Sequence, residues 1–193
     1  MRIGFYGGTF DPIHHGHLIL ARDAIEYLEL HRLIFIPNTL SPHKQALAPA
    51  PAAVRGEMVA AAIEGEPQFA MDDSELRRGG TSFTIDTMLA MRARFADADL
   101  FYLIGEDNVR ELPTWQRYDE LQRLVQFVVL NRSAVVATHP FITLQHRRID
   151  ISATEIRTRV ARGESVRYLV PDKVLTLIEQ HQLYKEEALS QPL

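Results

Sequence analysis

The chain has 193 residues, a formal net charge of −4, 46% hydrophobic and 24% charged residues, and no cysteine. The length suits one domain with a substantial core, and the missing thiols exclude disulfides and thiolate metal sites. The acidic balance argues against a general nucleic-acid binder, so an anionic ligand has to be held by a few local cations and helix ends.

"RIGFYG" reads as a first strand, followed by Leu18, Ala21, Ile25 and Leu28 at helical spacing. "RLIFIP" is a second strand closed by Pro37. "NTLSPHKQALAPAPAA" reads as a long loop, rich in proline and small residues. A helix is predicted around Val54 to Ile63 and a short strand at "QFAMDD". Thr84 is the predicted N-cap of a helix carrying Ile85, Met88, Leu89 and Phe95. "LFYLIG", ending at Gly105, is the clearest buried strand. A helix near Tyr118 to Leu124, the strand "QFVVLN" and a last strand "RRIDIS" come after it. "SATEIRTRVARG" carries a capping signal and stops at Gly163, and a final helix begins at Pro171. Alternation of strands and helices predicts an α/β domain with a mostly parallel sheet over residues 1–185, and a short tail at 186–193. No apolar run approaches 18 residues and the first residues lack an export pattern, so no membrane association and a cytoplasmic location are expected.

Three histidines crowd "YGGTFDPIHHGHL". Gly7 and Gly8 end the first strand, where ligands of open parallel sheets bind, and paired glycines allow close approach to the backbone. Around Gly16 a helix starts, and its N–H groups and dipole favour an anion. His14 and His17, three apart, lie on one side of that start while His15 points elsewhere. The pattern reads as a phosphate site. A tight turn with surface histidines is the plain alternative. The glycine spacing is not that of a dinucleotide fingerprint, and a zinc site lacks a complete ligand set.

"ISATEIR" places Ser152 and Thr154 at a helix start with Arg157 a turn later, which suits a polyphosphate or, equally, an ordinary cap with a solvated arginine. His43 and Lys44 lie in the long loop, a weak signal alone. Asp107, just past Gly105, reads as an acceptor for ribose hydroxyls or as a cap. "TSFTIDT", with Thr84 and Asp86, is paired with "LPTWQRY", whose Trp115, the only tryptophan, is either a core residue or a stacking platform for an aromatic base.

Together these motifs resemble the HxGH nucleotidyltransferases, and among them the bacterial nicotinate-nucleotide adenylyltransferases. His14-His15-Gly16-His17 matches H-x-G-H, and Ser152, Thr154 and Arg157 match the second motif, with Ala153 where a serine is usual. "SPHK", "SFTIDT", "GED", "LPTW" and "RYLVPDKV" follow in the family's order, so the likeness spans Arg2 to about Tyr184. Ser41, Phe83 and Glu106 are further departures.

The resemblance implies a Rossmann-like doubly wound domain that joins ATP and nicotinate mononucleotide into deamido-NAD, releasing pyrophosphate, with Mg²⁺ bridging phosphates and few or no protein ligands to it. It implies His14, His17 and Arg157 as catalytic residues. Gly7, Gly8, Thr9, Phe10, Gly105, Asp107, Ser152 and Thr154 complete the ATP site, and His43, Lys44, Thr84 and Trp115 meet the mononucleotide or add charge beside it. Competing readings are a dual-specificity nicotinamide enzyme, a phosphopantetheine adenylyltransferase and a nucleotide-binding module without turnover. A monomer or a small homo-oligomer both fit.

Overall fold

Parallel strands buried on both faces read as near-continuous apolar runs, and that pattern explains this sheet. The computed structural model of the chain describes residues 1–40, 49–130, 141–144 and 149–185, except for the side chain of Asp107. Its strands are β1 (Arg2–Gly8), β2 (Arg32–Pro37), β3 (Phe69–Met71), β4 (Asp99–Gly105), β5 (Gln126–Leu130) and β6 (Ile142–Leu144). They pair in the order β3-β2-β1-β4-β5-β6, each described pair parallel. Within β4, Phe101 and Leu103 point into one core while Leu100, Tyr102 and Ile104 point into the other. The same two-residue alternation runs through β2 and β5.

The helices α1 (His15–Tyr27), α2 (Ala52–Ile63), α6 (Ala153–Ala161) and α7 (Asp172–Gln180) contribute to the first core. The second core takes residues from α4 (Thr84–Arg94) and α5 (Tyr118–Leu124). A short α3 (Ser74–Arg78), which the sequence pattern did not suggest, lies between β3 and α4. The architecture is the expected α/β Rossmann-like doubly wound sheet flanked by helices. Strand order reverses direction between β1 and β4, so their carboxyl ends open a crevice at a topological switch point.

Two local expectations are corrected. Residues 149–152 of the expected last strand are not in a strand, and the edge strand is Ile142–Leu144, a segment too short to show a period. Thr84 is the first helical residue of α4, with Phe83 at the cap position and no side-chain cap bond.

Candidate active site

The turn between β1 and α1 is held by a buried guanidinium. Phe10 has φ 47°, a left-handed backbone that costs a non-glycine residue roughly 1–3 kcal/mol. Its ring packs edge-on against Tyr6, Phe35 and His17, with centroids 5.5, 5.8 and 5.2 Å away. From α2, Arg55 donates to the carbonyls of Thr9 (2.6 Å), Asn38 (2.7 Å), Thr39 (3.0 Å) and Ala50 (2.9 Å). Carbonyls just beyond the carboxyl ends of β1 and β2 are thus gathered by one side chain that is 1% exposed. Burial lowers the pKa of Arg55, opposed by the nearby charge of Asp11.

At the start of α1 the two imidazoles of the motif stack, with ring centroids 3.7 Å apart and planes 25° apart. His14 occupies the N-cap position in extended backbone and is buried, while His17 is half-buried. The His14 backbone N–H donates to His17 Nδ1 at 3.3 Å. A ring that accepts at Nδ1 carries its proton on Nε2 when neutral, so the outer nitrogen of His17 is a donor. Gly16 has a direct structural reason: a Cβ there would sit 2.9 Å from His14 Nδ1. The helix start offers less open backbone than expected, because the His15 N–H donates to Leu169 O (3.0 Å) and the His17 N–H to His14 O (2.9 Å).

Arg157 is brought to the same corner from α6, 146 residues away in sequence from its partner. It donates to the Asp11 carbonyl at 2.8 Å and lies 3.9 Å from that residue's Oδ2. Its second amino group donates to Thr154 Oγ1 at 3.4 Å. Ser152 is the N-cap of α6, accepting from the Glu155 N–H at 3.1 Å, so one of its lone pairs is committed to capping.

Beyond β4 lies a second group of polar side chains. Tyr102 is buried and shares a hydrogen bond with the Thr84 hydroxyl. A Cβ on Gly7 would fall 2.0 Å from the Tyr102 hydroxyl oxygen, and one on Gly8 would meet the Phe10 ring at 3.0 Å. The groups approaching the two glycines in this structure are therefore the protein's own rings. Trp115 is half-buried, edge-on to Tyr102 at 6.2 Å and to Phe127 at 6.4 Å. Under this cluster Glu75 is 6% exposed, accepting from Thr87 Oγ1 at 2.6 Å. Burial pushes its carboxyl above the usual range, against hydrogen bonds from Thr87 and Ser82.

The structure brings His14, His17, Thr9, Phe10, Ser152, Thr154 and Arg157 to one end of the sheet. Thr84 lies beside Tyr102, whose ring also meets Trp115. Gly105 ends β4 and the chain continues into a 3-10 turn, Glu106–Asn108. His43, Lys44 and the side chain of Asp107 lie outside the described residues. Asp11, Arg55, Glu75 and Tyr184 were missed by sequence reading. An arginine inside "AAVRGEM" gives no local sign of burial, although the aspartate of "GGTFDP" sits within the motif itself.

Among the described residues no three histidine, aspartate or glutamate side chains form a set able to hold a metal ion. Nor is any described helix long and apolar enough to cross a membrane.

A 3-2-1-4-5-6 parallel sheet with a stacked histidine pair and a distant arginine at its switch point is the arrangement that the resemblance to the HxGH nucleotidyltransferases implies. Comparison with known proteins agrees. A family model described as cytidylyltransferase-like matches residues 5–159. A Gemmatimonas aurantiaca protein is 42% identical over 198 residues, covering 96% of this chain and 93% of its own length. One from Geobacillus thermodenitrificans is 40% identical over 185 residues, covering 95% and 86%. Both are described as probable nicotinate-nucleotide adenylyltransferases. The fold is shared with the solved Plasmodium falciparum nicotinic acid mononucleotide adenylyltransferase complexed with NaAD, at TM-score 0.77 and 16% identity, covering 95% of this chain and 97% of that one. The chain belongs to the nicotinate-nucleotide adenylyltransferase family, and it is an adenylyltransferase.

Proposed function

We propose that the protein transfers the adenylyl group of magnesium-bound ATP to nicotinate mononucleotide, forming deamido-NAD and pyrophosphate. The observation that carries this reading is the stacked His14–His17 pair beside Arg157 at the sheet's switch point. The relatives' descriptions supply the acceptor.

The acceptor's 5′-phosphate attacks the α-phosphorus of ATP and pyrophosphate leaves in line. A phosphate is already ionised near neutral pH, so catalysis rests on positioning and charge stabilisation rather than on a strong base. His17 donates from Nε2 to an α-phosphate oxygen as charge builds there, and the bond to its Nδ1 holds the ring for that task. His14 supports the neighbouring phosphates. The backbone N–H groups of Thr9 and Phe10 meet phosphate oxygens alongside Gly7 and Gly8. Ser152, Thr154 and Arg157 hold the β- and γ-phosphates as pyrophosphate departs. Asp107 serves the ATP ribose, Gly105 belongs to the same ATP site, and His43 and Lys44 add positive charge. Magnesium bound to the phosphates of ATP would screen their charge.

The pyridine ring stacks on Trp115, and its carboxylate meets donors around Thr84. A pocket of donors selects a carboxylate over a carboxamide, whose own N–H groups would face them unpaired. The deciding experiment offers the enzyme ATP with nicotinate mononucleotide, nicotinamide mononucleotide or phosphopantetheine and follows pyrophosphate release. Release with nicotinate mononucleotide at a kcat/KM at least tenfold above the others is the expected result. Equal use of both pyridine nucleotides, use of phosphopantetheine alone, or ATP binding without release rejects the proposal.

A further inference from the structure

Asp11 receives more contacts than a loop carboxylate needs. Its Oδ1 accepts from the Tyr184 hydroxyl at 2.7 Å and from the Ala50 N–H at 3.2 Å. Its Oδ2 stands 3.9 Å from an Arg157 amino nitrogen, beyond hydrogen-bond reach, although the same amino group donates to the Asp11 carbonyl at 2.8 Å. The carboxylate is 10% exposed, in a setting where an arginine fork and a carboxylate ordinarily close into a short bidentate pair. Here they do not close.

Tyr184 holds the other carboxylate oxygen. It lies 173 residues from Asp11, beyond the end of α7, with φ 60°. A left-handed backbone at a tyrosine persists only where surrounding contacts over-determine it. Burial and the Asp11 charge push the phenol well above its ordinary range, so it stays protonated and donates. Among the described residues, Arg157 makes two hydrogen bonds. A guanidinium has five N–H donors, so several remain for an anion.

We infer that Tyr184 is a positioning residue for anion binding: by fixing one oxygen of Asp11 it stops that carboxylate from closing on Arg157. The inference deepens the proposed function, since it rests on Arg157 meeting the departing pyrophosphate. Without the phenol, the carboxylate turns onto the arginine and competes with the phosphates.

The test is calorimetric titration of inorganic pyrophosphate into the full-length protein, which needs no acceptor and so stays readable if nicotinate mononucleotide proves to be the wrong one. Tyr184→Phe keeps the ring and should weaken pyrophosphate binding about tenfold, the scale of one charge-assisted hydrogen bond. In an Asp11→Asn background, where no charge can capture the arginine, the same substitution should change binding by less than about twofold. Asp11→Asn alone should bind pyrophosphate about threefold more tightly, because a competing charge near Arg157 is gone. The KM for the mononucleotide should be unmoved by Tyr184→Phe. An equal loss in both backgrounds would mark Tyr184 as merely structural and overturn the inference. Unchanged binding in Tyr184→Phe, weaker binding in Asp11→Asn, or no pyrophosphate binding by the native protein would overturn it too.

Discussion

The imidazoles of His14 and His17 stack 3.7 Å apart, and the backbone N–H of the first is bonded to Nδ1 of the second. The pair is thus a single preorganised unit at the start of α1 rather than two independent side chains. Its outer donor is His17 Nε2, whose proton position follows from the bond at Nδ1.

Replacing His17 with alanine should lower kcat by about 10²–10³ with little change in the KM for ATP, as for loss of one oxyanion-hole donor. Steady-state kinetics over both substrates provide the check. A variant with near-native turnover would remove His17 from the chemistry.

Arg55 should matter for stability before it matters for rate. Arg55→Met strands four carbonyl acceptors in a buried turn and should cost about 3–5 kcal/mol, the range for breaking a buried charged network. For a protein of this size that lowers the thermal midpoint by about 10 °C. Arg55→Lys should recover only part of it, because an ammonium cannot span the fork's acceptors. Calorimetry of the two variants settles the matter.

Glu75 should make stability depend on pH in a particular sense. Its carboxyl is raised in the folded state, so between the ordinary carboxylate value and the raised one the folded protein holds a proton that the unfolded chain has lost. The stability it contributes is fully present below the unfolded value of about 4.3 and is lost as pH rises through the folded value. Glu75→Gln keeps an acceptor for Thr87 and cannot ionise. Relative to the native protein, this variant should therefore gain stability as pH is raised from about 4 to about 8, by urea unfolding at each pH. A constant difference across that range would show that Glu75 does not titrate differently on folding.

Trp115 should report on the mononucleotide. As the only tryptophan it supplies all the indole emission, so stacking of a pyridine ring should quench it on titration with nicotinate mononucleotide and not with ATP. Trp115→Ala should raise the KM for the mononucleotide by about two- to tenfold while that for ATP moves less, since aromatic stacking contributes about 0.5–1.5 kcal/mol beyond burial. Equal rises in both would return Trp115 to a packing role against Tyr102 and Phe127.

Much of this molecule can be read from local pattern. The continuous apolar runs of "LFYLIG" and "RLIFIP" dictate strands buried on both faces, and "HHGH" and "ISATEIR" each announce a helix start. The helix at Tyr118 to Leu124 agrees with the structure residue for residue. These features depend on side-chain period and backbone preference over a few residues, which any short segment carries within itself. Reading failed where local signals ran short. Three-residue β6 has no period to detect, and Thr84 has the right chemistry for a cap but takes the next position.

Only the tertiary structure decided which groups meet. Arg55 collects carbonyls from the ends of two different strands, and Tyr184 reaches Asp11 across 173 residues. A Cβ on Gly7 would collide with Tyr102 of another strand, a contact that no local pattern announces. The physical reason is shared. Such partners are chosen by strand order and by the cost of leaving a buried polar group unpaired, and neither is a property of the segment that carries the residue.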